Sequence, residues 1–432
     1  MTHPMTALQA RTLGIDVGTS GLRVAALDKD GDCLWLEKAE WRVPTLEHGH
    51  EQNPNAWWQA FDGLMRALGR DGHLGEVRAM AFAGTSGTVL TMRDDGMPEG
   101  PALMYDDPRG REQRDALRQM DIDPDTQIDA LARWRWLAEA RGQPGRPASQ
   151  ADWFVHRLTG RHAADSNNAL KWGFDPVSER WPAALEERFG EQLPVVQRAG
   201  TPVGVLLDGW HKRWSLPADV QVTAGTTDSM AALWASGAER EGDGVTSLGS
   251  TLALKLISER PIANAASGVY SHRFGARFAV SGASNTGGRV LAAHFSSEEI
   301  ERLSREIDPE RPDTLGYWPL AGRGERFPVV APHMGPRLTP RPADHAAFLA
   351  GLLRGIARIE ALGYRRFAQL GSTPVRRVLS SGGGAGNAVF RTIRARALGV
   401  PVSVAEHTEA AVGVARLAAL GLRDHPTAGA SR

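Results

Sequence analysis

The sequence predicts an α/β protein built from two domains of similar topology, and three observations carry that expectation. At 432 residues the chain exceeds the ~100–200 residues of one typical domain. Short apolar runs with strand-like alternation are interleaved with stretches of helical period. A strand, small-residue turn and second strand occur twice, as LGIDVGTSGLRVAALD at residues 13–28 and as VTSLGSTLALKLIS at residues 245–258. Such recurrence suggests two related domains, each presenting one hairpin turn to a shared cleft. Two unrelated hairpins in a β-containing chain would give the same pattern.

Residues 13–28 read as a β-hairpin in which Leu13, Ile15 and Val17 alternate with Gly14, Asp16 and Gly18. Asp16 therefore points away from the apolar face. EQNPNAWWQAFDGLMRALG predicts a helix with Asn53 as N-cap, Pro54 in the first turn and Trp57, Phe61, Leu64, Met65 and Leu68 at helical spacing. Residues 77–98 read as strand, glycine-rich turn, strand and Asp-Gly turn, continuing the N-terminal sheet, and helical pattern dominates residues 111–158. VTAGTTDSMAALWASG, residues 222–237, predicts a short buried strand, a Thr-Thr turn and a helix with Asp228 in its first turn. Residues 308–332 are rich in proline and glycine and read as a long loop. Residues 375–402 predict strand, glycine cluster and a helix closed near Gly399; residues 408–421 predict a last helix with Thr408 as N-cap and Gly421 as stop. The tail from residue 423 is expected to be disordered.

Lysine plus arginine and aspartate plus glutamate each number 50, giving no net charge. No basic field exists to hold nucleic acid or an anionic membrane, so any phosphate has to be bound locally. Cys33 is the single cysteine, which excludes an intramolecular disulfide or thiolate metal cluster and fits a reducing compartment. The N-terminus lacks a basic stretch followed by an apolar core, and no segment reaches the ~20 apolar residues of a membrane span. A soluble, cytoplasmic protein is expected. Histidines such as His48, His50, His156, His272, His294, His333 and His407 show no metal-ligand spacing and are read as surface or satisfied core residues. No G-x-S-x-G elbow and no G-x-x-x-x-G-K-[ST] loop is present.

Glycine-rich turns let backbone N–H groups approach an anion without a side chain intervening. Two such turns can hold the phosphates of a nucleotide, and a carboxylate beside one of them, Asp16, can hold the bridging magnesium ion. The alternative makes Asp16 a turn residue accepting from the Thr19 or Ser20 N–H. Asp228 is explained by the helix macrodipole alone, worth ~0.3–1 kcal/mol, or as a base accepting the proton of an attacking hydroxyl. In SGGGAGN, residues 381–387, Asn387 stands where the third glycine of a dinucleotide fingerprint belongs, which weakens a dehydrogenase reading. The same glycines suit backbone packed against adenine or ribose, or close helix-to-strand packing.

In order along the chain, GIDVGTSGLRVAALD, EQNPNAWW, ALMYDDPRG, ADWFVHRLTG, AGTTDSMAA, TSLGSTLAL, GERFP, SSGGGAGN and TEAAVGVARLA resemble the FGGY carbohydrate kinases of the actin-like ATPase superfamily. The resemblance implies two ribonuclease-H-like domains flanking a central cleft, residues 1–235 and 236–407, with the helix at 408–421 packing back onto the first. It implies an ATP- and Mg2+-dependent kinase acting on a small-molecule sugar, with no nucleic-acid or membrane partner. Asp16 becomes the metal-associated carboxylate, Gly18, Thr19 and Ser20 the first phosphate turn, and Gly249, Ser250 and Thr251 the second. Asp228 falls on the catalytic base and Gly382, Gly383, Gly384 and Asn387 on the adenosine side. In YDDPR, Tyr105 and Asp106 depart from the family pattern and Asp107 is left as the sugar-hydroxyl acceptor. AGTSGTVL lacks the Arg-Glu pair of glycerol kinases, and GTSGTVL, NNALKWGFD and SGASNTGG look most like a short ribulokinase-like branch. D-ribulose then ranks before D-xylulose, Ser86 and Thr88 line the sugar pocket, and Asn168, Lys171 and Asn285 either contact sugar or cap their own loops. An actin-like nucleotide switch, or a degenerate kinase without sugar turnover, is the alternative.

Overall fold

A computed structural model of the chain describes residues 9–43, 49–142 and 145–424. His48 and most of the C-terminal tail lie outside the described residues. The chain divides into two compact units, residues 1–235 with 409–432 and residues 236–408.

In the first unit β1 (Thr12–Val17), β2 (Gly21–Leu27) and β3 (Cys33–Glu40) form an antiparallel meander, with Asp16 opposite Arg23. The chain crosses through α1 (Pro54–Arg70) to β4 (Ala79–Gly84), which lies parallel to β1 on its other side. β5 (Pro202–Val205) and β6 (Gln221–Thr223) complete the order β5–β6–β4–β1–β2–β3. β7 (Thr226–Thr227) pairs with the last residues of β4, and α2 (Asp228–Ala235) begins at the next position. The expected Thr-Thr turn is thus a short strand.

Side-chain size separates the two faces of this sheet. Leu13, Ile15, Val17, Leu22 and Val24 share a core with Trp57, Phe61, Met65 and Leu68 of α1. Asn53 caps that helix by accepting from the Asn55 N–H, with Pro54 in the first turn. On the other face Ala79, Ala81 and Ala83 meet Ala231 of α2 and Val414 and Ala418 of the C-terminal helix, Ala410–Asp424. The helices come so close that a Cβ on Gly14 would lie 2.0 Å from the Ala411 carbonyl oxygen. Asp16 shares this helix-covered face, and β1 is buried along its whole length.

Three further local expectations are corrected. The strand Val89–Met92 leaves the main sheet and pairs with Ala102–Leu103 and Arg146–Ser149 in a separate sheet, the chain turning through Gly87 at φ +94°. The helical region 111–158 is broken by the strand Arg146–Ser149. Gly421 does not stop the last helix: it lies inside it, where a Cβ would meet the Gly200 carbonyl oxygen at 2.1 Å.

The second unit opens with β8 (Asp243–Leu248), β9 (Leu252–Ser258), β10 (Tyr270–Phe274) and β11 (Arg277–Ser284). After the helices Gly288–Ala292 and Ser297–Ser304, residues 305–344 form no helix or strand beyond isolated bridges, as their composition predicts. Then come α3 (His345–Gln369), β12 (Arg377–Ser381), α4 (Ala388–Leu398) and β13 (Val402–Val404). The path β11–β9–β8–β12–β13 has the neighbours and directions of β3–β2–β1–β4–β6. The repeated hairpin therefore belongs to a repeated sheet. Below it, Arg394 of α4 and Glu360 of α3 form a fully buried ion pair, joined by Thr246 of β8 and Ser380 of β12.

A methyl group at residue 14 has nowhere to go unless the C-terminal helix moves off β1. Gly14→Ala is expected to cost ~1–3 kcal/mol or more. Gly63→Ala, in α1 with nothing near its Cβ position, is expected to raise stability by up to ~1 kcal/mol. Calorimetric Tm values for the two variants check this; equal shifts at both sites would contradict the close-packing account.

Candidate active site

The parallel strands β1, β4 and β7 end side by side. Asp16 is in register with Ala83, and Thr226 and Thr227 with Ala83 and Gly84. Asp16, the 84–87 turn and Asp228 are thereby gathered at the carboxyl edge of one sheet, the edge where open α/β sheets hold ligands. Asp16 is 6% exposed. Its nearest cation is Arg23, 3.9 Å away, which Glu409 also engages. Its Oδ1 is buried without a hydrogen-bond partner. Burial pushes its carboxyl up to about 7, with the Asp228 charge adding to the rise and Arg23 only partly offsetting it. No bond joins Asp16 to the Thr19 or Ser20 N–H, so the turn-residue alternative is not the arrangement found. Asp228 is half-buried, and its Oδ1 accepts from the Ser229 N–H.

The first glycine turn is held from behind. Trp57 of α1 donates to Gln52 Oε1, and Gln52 Nε2 donates to the Thr19 carbonyl at 2.6 Å. The Trp41 indole donates to the same carbonyl, and the Trp41 N–H to that of Ser20. Across a trans peptide the N–H points opposite to the C=O, so the Ser20 N–H is turned away from these donors.

The expected sugar contacts are rearranged. Both oxygens of Asp107 are occupied: they accept from the His50 and Arg109 N–H groups and from the Arg109 guanidinium. Burial alone would raise this carboxyl, yet those bonds to Arg109 and the backbone hold it below the ordinary range. Asp107 thus braces its own loop, and the exposed neighbour is Asp106, paired with His50. Thr88 is fully buried and its hydroxyl bonds to that of Thr85. The Ser86 hydroxyl is without a partner. Asn168 and Asn285 serve their surroundings: Asn168 binds Asp165, and Asn285 donates to the Gly324 carbonyl.

In the second unit a cavity of about 930 Å³ brings two distant glycine clusters together. Gly249 and Ser250 form part of its wall, with Gly383, Gly384, Gly386 and Asn387, and Leu291, Phe295 and Phe390 supply apolar surface. Gly383 and Gly386 have nothing near a Cβ position, so their bare backbone leaves the cavity wall open to a ligand. Thr251 and Gly382 do not line it. Gly382, at φ +84°, is a glycine because Leu248 backbone lies 2.7 Å from its Cβ position. The Asn387 side chain caps α4 and donates to Ser304, so this residue offers the cavity a surface and no free amide. Here too the turn carbonyls are tied back: Gly288 N–H donates to Gly249 and Arg289 N–H to Ser250.

The model of the FGGY family of carbohydrate kinases, N-terminal domain, matches residues 11–235, and that of the C-terminal domain matches residues 244–422. The chain belongs to the FGGY family of carbohydrate kinases. Xylulose kinase of Escherichia coli K12 is 26% identical over 278 residues, 60% of this chain and 57% of that protein. The chain thus spans a little over half the length of that curated relative. The structure of a protein described as a xyloylose kinase from Brucella ovis superposes with TM-score 0.83 at 21% identity, covering 96% of this chain and 91% of that one. Xylulose kinase from Rhodospirillum rubrum also gives TM-score 0.83, at 20% identity, covering 97% and 91%. These likenesses establish the two-domain actin-like fold of FGGY kinases for this chain.

Sequence reasoning missed two buried polar residues near these strand ends. Gln150 takes the Thr85 N–H on Oε1 and leaves Nε2 buried and unpartnered; Asn167 donates to Thr226 and leaves Oδ1 unpartnered. Asn167 lies in the polar run Asp165–Asn168 and Gln150 between Ser149 and Asp152, so nothing in the local pattern marks either amide.

The Asp16 carboxyl supplies a pH test. Its folded-state value, about 7, lies above the ordinary aspartate value of 3.8, so the folded chain binds this proton more tightly than the unfolded one. The stability so gained is complete below pH ~4 and is lost as pH rises through ~7, at most about 4 kcal/mol. Asp16→Asn carries no such loss. The Tm of that variant minus wild type is expected to grow between pH 5 and pH 8, and a difference independent of pH would contradict the buried-charge account.

Proposed function

We propose that this chain is an ATP-dependent kinase that transfers the γ-phosphoryl group to a hydroxyl of a ketopentose. The observation that carries the reading is the pair of carboxylates, Asp16 and Asp228, at the carboxyl edge of β1 and β7 in a family of carbohydrate kinases. The cavity walled by Gly249, Ser250, Gly383 and Gly386 has the size and the mixture of apolar wall and bare backbone suited to a nucleotide.

Magnesium fits the residues present. Asp16 has an unpartnered buried oxygen and a carboxyl raised by burial and by the Asp228 charge, which supports a cation as its neighbour. Magnesium is usually held by one or two carboxylates together with substrate phosphates, a demand one aspartate meets. Bound there, it would neutralise charge on the phosphates. Asp228, at the first turn of α2, accepts the proton of the attacking sugar hydroxyl while that oxygen forms its bond to the γ-phosphorus and the bridging bond to ADP breaks. Ser86, Gln150 and Asn167, whose buried polar atoms lack a partner near the same strand ends, orient the sugar.

D-Ribulose and D-xylulose are the acceptors to test first. Residues 84–90, 167–175 and 281–288 favour ribulose, while the name of the Escherichia coli relative favours xylulose. The choice between epimers depends on pocket contacts worth ~1–3 kcal/mol. The occupied oxygens of Asp107 favour one rival, nucleotide binding without sugar turnover.

A coupled assay of ADP formation across ketoses, aldoses and polyols separates the two. A ketopentose is expected to stimulate turnover, and Asp228→Asn to lower kcat by ~10²–10⁴ with the sugar KM changed far less. Failure of every sugar to stimulate ADP formation would put the rival first; near-normal kcat in Asp228→Asn would remove the base.

A further inference from the structure

A second cavity of the 236–408 unit, of about 290 Å³, is lined by Arg311, Arg354, Arg358, Arg365 and Arg396. Arg354, Arg358 and Arg365 follow one another at helical spacing on α3, and so share one of its faces. Arg396 comes from α4 and Arg311 from the irregular 305–344 segment. The carboxylates that face them are Asp313 on Arg358, Glu310 on Arg396, and Asp308 at 3.9 Å from Arg311. Five guanidiniums therefore meet three carboxylates.

The excess is not absorbed by other bonds. Arg354 donates from Nη2 to the Asp308 carbonyl, but its Nε is buried without a partner. Arg358 donates to the Tyr317 carbonyl. Arg365 has no ion pair or hydrogen bond among the described residues. Like charges on one helix face repel, and guanidinium forks match the oxygens of a phosphoryl group in geometry as well as charge. The volume suits a small ligand and excludes a nucleic-acid groove.

We propose that this cavity is a binding site for a small phosphoryl anion, separate from the glycine-walled cavity. The two cavities share helices. Leu353 and Ile356 of α3 and Val389 and Phe390 of α4 line the larger one, while Arg354, Arg365 and Arg396 on the same helices line this one. The inference stands on these contacts alone and does not depend on which sugar, if any, is phosphorylated.

Isothermal titration of the full chain with inorganic phosphate and with ribose 5-phosphate, at low salt, tests it. Wild type is expected to bind at least one of them at millimolar concentration or below. The exposed-site variants Arg365→Glu and Arg396→Glu are expected to weaken that binding by about tenfold or more, close to 1.4 kcal/mol, while ADP affinity stays within about twofold, as no charge in the larger cavity is altered. Equal affinity for the two anions identifies free phosphate as the ligand; tighter binding of ribose 5-phosphate identifies a phosphorylated metabolite. No binding to wild type, or binding unchanged in both variants, overturns the proposal. Circular dichroism of the variants confirms that a loss of binding is not a loss of fold.

Discussion

A charge kept from water beside a second charge of the same sign is the constraint on which the rest of this molecule turns. Asp16 occupies a strand position whose other alternate residues are Gly14 and Thr12, on the face covered by helices. Small residues let those helices descend: Gly14, the alanines of β4 and Gly413, whose Cβ would lie 1.9 Å from the Ala231 carbonyl oxygen. The dry environment of Asp16 is thus a consequence of the glycine and alanine content of its neighbours. A carboxylate so placed is a poor contributor to stability and a good acceptor for a cation.

The two units solve the same problem in the same topology with different side chains. Each has a turn between its first two strands, and in each the turn carbonyls are engaged from behind. The first unit uses side chains, Gln52 and Trp41, and the second uses backbone N–H groups of Gly288 and Arg289. Securing the carbonyls fixes the peptide planes and with them the directions of the N–H groups. In the second unit the buried Glu360–Arg394 pair ties α3 and α4 to the strands that carry the glycine turns. A buried pair of this kind is weak support for stability but a strict fix on geometry.

What could be read in the residues was whatever depends on local spacing. The hairpin at 13–28, the Asn53 cap and the closure at Gly399 follow from period and turn chemistry, and each appears where its residues stand. What failed depends on contacts between distant segments. Gly421 looks like a helix stop because glycine usually is one, but here the Gly200 carbonyl requires it. Asp107 looks free in YDDPR because nothing in the sequence says that Arg109 and the His50 N–H will claim its oxygens. Val89–Met92 has the pattern of a strand, and pattern carries no information on which sheet receives it. Gln150 and Asn167 were overlooked because an unsatisfied amide is visible only once its surroundings are assembled.

The protonation state of the Asp16 carboxyl is directly measurable. Carbon-13 NMR of protein labelled at the aspartate carboxyl carbon, with the Asp16 signal assigned by loss in Asp16→Asn, follows its titration in the ligand-free chain. The account requires a midpoint near 7 that moves toward acid when the Asp228 charge is removed by Asp228→Asn. A midpoint near 4, the ordinary value for an aspartate in water, unmoved by the Asp228 change, would contradict it.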